Sequence, residues 1–83
     1  MAEKRVAKVT HYWAKIGVAG IKLYDTLRVG DTIHISGSTT DFKQTVDSME
    51  IEHEAVEVAK KGQEVGLKVN ERVRKGDRVY KVD

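Results

Sequence analysis

Whatever chemistry this 83-residue chain performs must come from three histidines, a few hydroxyls and thirteen carboxylates. His34 stands two residues before Ser36 in DTIHIS, so on an extended strand both project to one face. That is the nearest the chain comes to a nucleophile and its base. Ser36, Ser38 and Ser48 all lack the G-x-S-x-G turn that presents a hydrolase nucleophile. A polar outer face explains the pair more simply. Glu52-His53-Glu54 has metal-ligand types, but consecutive strand residues alternate faces. His11, His34 and His53 form no H-x-H or H-x-x-x-H pair, so no metal site is expected. Acid pairs such as Glu50 with Glu52 act as acid and base only across a cleft at controlled separation. Cysteine is absent, which removes disulfides and thiolate chemistry. No Gly-Lys dipeptide occurs, so a phosphate-cradling G-x-x-x-x-G-K-S/T loop is excluded, and GTP hydrolysis with it. These observations point to a protein that binds without catalysing and uses no cofactor.

The residues suited to binding fall in three groups. In His11-Tyr12-Trp13, flanked by Lys8 and Lys15, aromatic rings could stack bases while the cations hold phosphates. The alternative places Trp13 or Tyr12 inside, closing one end of a core otherwise built of Val and Ile, and this is preferred, for Trp13 more than for Tyr12. The second group is a basic run, Lys68, Arg72, Arg74, Lys75, Arg78 and Lys81, set against Glu71 and Asp77. The third is acidic: Asp47, Glu50, Glu52, Glu54 and Glu57, with no Lys or Arg between them. Solvated strand faces opposing each other across a sheet account for both charged runs more simply than a binding patch. The formal charge of +2 is no nucleic-acid footprint by itself. Phe42, in GSTTDFKQTV, is read as tucked beneath its loop.

The elements that position these residues are strands. Twelve valines and five isoleucines stand against three leucines, and β-branched side chains suit a pleated surface. Ile33 and Ile35 share one face of DTIHIS; Val65, Leu67 and Val69 line one side of EVGLKV. One phrase recurs before these strands: Gly30-Asp31, Gly62-Gln63 and Gly76-Asp77 each pair a glycine tolerant of positive φ with a polar residue able to bond locally. The spacing of the three glycines is too unequal for a solenoid, so the repeat marks a corner that feeds a strand. VAKVTHYW reads as a first strand that turns at AKIG and returns through VAGIKL. VDSMEIE changes phase midway, which predicts a β-bulge near Asp47-Ser48, followed by an irregular loop through Lys61 or a helical turn. Six or seven short strands in a chain this small close best as a barrel without exposed edges. The expectation is one domain over residues 1–83: all-β, a closed six-stranded antiparallel barrel. No apolar run resembles a signal peptide or reaches the length of a membrane span, so a soluble, cytoplasmic and monomeric protein is expected.

Taken together, GIKLYDTLRVGDTIHISG, TVDSMEIEHEAVEVAKKGQEVGLKV and RVRKGDRVYKV resemble the second domain of translational GTPases such as elongation factor Tu. The likeness covers roughly residues 17–82 and is closer still to short stand-alone translation elongation factor-like proteins. It implies a six-stranded Greek-key barrel that contacts RNA, the ribosome or a translation-related protein. The family's acidic residue in V-E-M falls on Glu50, and the asparagine before its later V-G pair is Glu64 here, before Val65-Gly66. A carboxylate offers no donor and repels phosphate, so this departure argues against binding a tRNA end. An RNA ligand would be met by Tyr12, Trp13 and the basic run. The C-terminal barrel of collagenase-like peptidases is a further relative, and implies instead a protein partner meeting the Asp47–Glu57 stretch or the Phe42 loop.

Overall fold

The recurring phrase folds the same way three times. A computed structural model describes residues 3–82 of the chain. In it Gly30, Gly62 and Gly76 adopt φ of 98°, 89° and 95° at the third position of a four-residue turn. The N–H of the residue that follows each glycine donates to the carbonyl three residues back: Asp31 to Arg28 at 3.1 Å, Gln63 to Lys60 at 3.1 Å, Asp77 to Arg74 at 3.0 Å. A positive φ at the third position only, with this bond, is a type II turn. The side chain after the glycine then accepts from the backbone N–H three residues back. The distances are 2.9 Å for Asp31–Arg28, 2.7 Å for Gln63–Lys60 and 2.9 Å for Asp77–Arg74. Each corner is thus closed by both a backbone and a side-chain bond, and a strand starts at once.

Ten strands result: β1 (Glu3–Trp13), β2 (Val18–Leu23), β3 (Leu27–Arg28), β4 (Thr32–Ser36), β5 (Asp41–Thr45), β6 (Met49–Ile51), β7 (Glu54–Val56), β8 (Val58–Ala59), β9 (Glu64–Lys68) and β10 (Arg78–Val82). Eight form one antiparallel sheet in the order β5-β4-β10-β1-β2-β9-β6-β7, and β3 pairs with β8. The strands fed by the second and third corners, β9 and β10, insert between the hairpins β1–β2, β4–β5 and β6–β7. Among the described residues there is no helix, and in place of the expected irregular loop or helical turn through Lys61 the chain forms two short strands, β7 and β8.

The closed six-stranded barrel is not formed: the sheet ends at β5 on one side and β7 on the other. The cause is local. After β5 the chain leaves the sheet, and Val46 exchanges bonds with the first corner, donating to Asp31 and accepting from Gly30. β6 is three residues long and meets β9 at only Met49↔Leu67 and Glu50↔Gly66. The ladder that would seal the cylinder is replaced by one side chain. Gln44, on edge strand β5 and 6% exposed, donates to the Lys68 carbonyl at 2.9 Å and accepts from the Asn70 N–H at 2.7 Å. The expected bulge at Asp47-Ser48 is absent because no strand runs through those residues. Bulges lie instead in β1, between Arg5 and Ala7 and between Val9 and His11.

The concave side of the curled sheet holds the core. Val6, Val9, Ile21, Ile33, Ile35, Leu67 and Val79 are all at most 1% exposed, and Phe42 is buried among them. No buried side-chain polar atom among the described residues lacks a partner.

Candidate functional site

Across the middle of the sheet, register sets glycine against glycine. Gly20 of β2 pairs with Gly66 of β9, and Gly66 pairs with Glu50 of β6. Two adjacent positions without side chains leave a flat trough on the convex face, which is otherwise studded with long polar residues. The β1–β2 hairpin raises one wall with Trp13 and Ile16. The β6–β7 hairpin raises the other with Glu50, Glu52 and His53, while Glu64 stands at one end. The groove encloses about 410 Å³.

Trp13 is held in place along this trough. A Cβ placed on Gly20 would lie 3.1 Å from the Trp13 ring, so the indole rests directly on the glycine. His11 leans on it at 4.4 Å between ring centroids. The ring remains 45% exposed, and Ile16 at the hairpin tip 61%. The opposite wall is strained: Glu52 and His53 adopt φ of 51° and 67° in the two-residue turn of the β6–β7 hairpin. Two consecutive positive φ values mark the turn type that favours Asn-Gly; histidine is among the residues that enter this region more readily, glutamate is not. None of the three groove carboxylates has an ion-pair partner among the described residues.

The structure brings together only some of the residues the sequence singled out. Trp13, Glu50, Glu64 and Gly66 meet in the groove. The preference for Trp13 inside is reversed: Tyr12 packs against the core and Trp13 faces outward. The bulge between Val9 and His11 adds one residue to β1 and so exchanges its faces beyond that point. The basic run is scattered. Lys68 lies on β9, while Arg72, Arg74 and Lys75 lie in the connection to β10. Lys81 reaches Asp31 at 3.5 Å. Arg78 faces Lys8, which faces Lys22, a row of three cations across β10, β1 and β2 that the linear sequence hides. Most of the basic run does not oppose the acidic one, since β1, β2 and β9 separate β10 from β6; only Lys68, on β9, sits on a strand beside β6. Gly30, Asp31, Gly62, Gly76 and Asp77 form the corners described above and touch no part of the groove.

The His34–Ser36 pair does not form a dyad. His34 Nδ1 lies 2.9 and 3.0 Å from the Glu3 carboxylate oxygens, and Nε2 lies 2.5 Å from Asp41 Oδ1. Ionised carboxylates only accept, so both ring nitrogens donate and the imidazole is a cation. The bonds to Glu3 and then Asp41 raise its pKa above the ordinary 6.5. A raised folded-state value means that this clamp adds stability below about pH 6.5. The contribution is then lost as pH climbs through the higher folded value. Thermal midpoints measured from pH 6 to 9 should therefore fall with pH in the natural chain. His34→Gln should remove that part of the slope; an unchanged slope would show that the clamp contributes nothing.

A second cleft, of about 480 Å³, lies among Lys4, Val6, Asp25, Arg28, Asp31 and Lys81. Its two carboxylates are already engaged, and of its cations only the Arg28 guanidinium has no ion pair among the described residues. Lys4 meets Asp25 at 2.5 Å, and Asp31 both caps the Arg28 N–H and pairs with Lys81. The Lys4 ammonium holds Asp25 below the usual carboxylate range, with help from the Thr26 N–H. In that cleft both carboxylates are paired, whereas the carboxylates of the glycine-floored groove form no ion pair among the described residues. No three His, Asp or Glu residues among those described are arranged to hold a metal ion.

No protein-family model matches the chain. It is 49% identical over 76 residues to an uncharacterized protease of Methanocaldococcus jannaschii, covering 90% of this chain and 19% of the relative. It is 38% identical over 80 residues to a collagenase of Porphyromonas gingivalis, covering 94% of this chain and 22% of the relative. The chain thus spans about a fifth of the length of the curated relatives it matches. Among solved structures, the C-terminal domain of a Geobacillus thermoleovorans protein assigned to the U32 peptidases superposes with a TM-score of 0.90 at 20% identity. That match covers 96% of this chain and 93% of the domain, and shows the fold. These findings overturn the translation-factor reading, and with it RNA and the ribosome as the expected ligands. The phrases behind that reading are the three corners and their strands, which build a fold and do not define a site. What the chain is similar to, over nearly all its length, is a segment of proteases and collagenases.

Proposed function

We propose that this chain is a non-catalytic accessory module that binds polypeptide on behalf of a peptidase body and does not cleave peptide bonds itself. The observation that carries this reading is the groove. An immobilised, half-exposed indole laid over Gly20 and an exposed isoleucine border a trough that continues over half-buried Gly66, a form suited to an extended chain. The protease and collagenase names of the relatives supply the setting, and the match to about a fifth of their length fits an appended module. His34 is committed to Glu3 and Asp41, which leaves Ser36 without an activating base.

The test is direct. The purified chain, incubated with denatured collagen and with casein, should leave both intact by mass spectrometry over a day. Hydrolysis that persists through repurification and disappears in Ser36→Ala or His34→Gln would replace this reading with a catalytic one.

A further inference from the structure

We propose that the groove receives an arginine or lysine side chain of the bound polypeptide, with an adjacent apolar residue seated on Ile16 and Val18. This assignment rests on the polypeptide-binding reading and specifies its ligand. The chain as a whole carries a formal +2, yet the groove is lined by Glu50, Glu52 and Glu64 and by no Lys or Arg. Its negative character is therefore local and opposite in sign to the molecule. None of the three forms an ion pair within the described residues, so an incoming cation displaces no existing one. Lys22 faces Glu64 across the β2–β9 ladder, and the cation competes only with that lysine at Glu64.

The arrangement also selects the kind of cation. The carboxylates are spread along the trough and are not gathered around a point, and no group of three ligands among the described residues suits a metal ion. A long organic cation matches that distribution. Trp13 adds an aromatic surface of the type that attracts guanidinium and ammonium groups, with Arg favoured because its planar head stacks on the ring. The indole is already fixed between Gly20 and His11, so little side-chain freedom is lost on binding. Exposed Ile16 and neighbouring Val18 extend the wall with apolar surface. That surface fits a hydrophobic neighbour of the cation better than a free polyamine.

Trp13 is the chain's single tryptophan, so its emission reports on this groove alone. The probe is the blocked pentapeptide acetyl-Gly-Leu-Arg-Leu-Gly-amide, compared with the same peptide carrying Glu in place of Arg and with spermidine. The Arg peptide should change the emission saturably and bind about tenfold more tightly than the Glu peptide, the sum of one cation–π contact and charge-assisted bonds. The double variant Glu50→Gln, Glu64→Gln should keep its thermal midpoint and reduce that preference to about twofold, in keeping with the one cation–π contact that remains. Equal affinity for the Arg and Glu peptides, no emission change up to millimolar Arg peptide, or spermidine binding as well as the Arg peptide would each overturn the assignment. Mass spectrometry of the same titrations separates the two claims. Cleaved peptide would count against the non-catalytic reading, while the affinity ratio judges the groove.

Discussion

Ile21→Ala should lower the free energy of unfolding by about 3–4 kcal/mol. Ile21 is 0% exposed at the centre of β2, paired with Val9 on one side and Val65 on the other. Removing three carbons there opens a cavity against strands already fixed by their ladders, so the site cannot collapse to fill it. A domain of this size has on the order of 4–12 kcal/mol in total. The loss is therefore a large share of the whole, and the thermal midpoint should drop by on the order of 15 °C. Ile21→Val removes one methyl and should cost only about 1 kcal/mol. Urea unfolding of the two variants checks both figures. A change below 1 kcal/mol for Ile21→Ala would mean that the core does not run through β2.

Gly37→Ala is expected to be the second most damaging small change, although it adds a single methyl. Gly37 has no positive φ, so backbone strain is not the reason. The added Cβ would lie 2.0 Å from Asp77 Oδ1 and 2.7 Å from its Cγ. Asp77 is 5% exposed, and its other oxygen accepts the Arg74 N–H that closes the third corner. To admit the methyl, the carboxylate must leave a buried bond or Gly37 must move away from Asp77. Overpacking and a lost charge-assisted bond together cost about 2–3 kcal/mol. Gly62→Ala provides the contrast, since its Cβ would meet nothing within 4 Å and the penalty is backbone strain alone, about 1–2 kcal/mol. Because both effects at Gly37 pass through one carboxylate, Gly37→Ala and Asp77→Ala should combine less than additively in a double-mutant cycle. Full additivity would show that the two residues do not meet.

The corners were legible because each is local: a glycine and its polar neighbour close on atoms three residues away, within one phrase. The core faces of β4 and β9 were legible for a related reason, since Ile33 with Ile35, and Val65 with Leu67, alternate without interruption. Reading failed where one extra residue changes phase. The bulge between Val9 and His11 exchanges Tyr12 and Trp13, and nothing in THYW announces it. Closure of the sheet was misjudged because it depends on where β5 ends. That end is set by bonds from Val46 to the first corner, about fifteen residues earlier. The groove was the least legible feature. Glu50 and Glu64 were singled out by family likeness and Trp13 by its chemistry, but Gly20, Ile16 and the Glu52-His53 turn join them only through the registers of β2 with β9 and β9 with β6. Pairing register between distant strands is a tertiary property, and a single sequence carries little trace of it.

The likeness to translational GTPases failed for the same reason that the fold was readable. Its phrases encode turns and strand faces, which recur wherever a glycine corner feeds an alternating strand, whatever the protein does. In the function proposed here, the groove's indole and carboxylates, and not those phrases, are what meets a ligand.

Amide chemical-shift mapping of ¹⁵N-labelled chain titrated with the arginine-bearing pentapeptide locates the bound peptide. Saturable shifts are expected at Gly20, Gly66, Glu50 and Glu64 and at the Trp13 indole N–H, with the corner glycines Gly30 and Gly76 unmoved. Shifts confined to the Arg78–Lys8–Lys22 row, with Gly20 and Gly66 unchanged, would contradict binding in the groove.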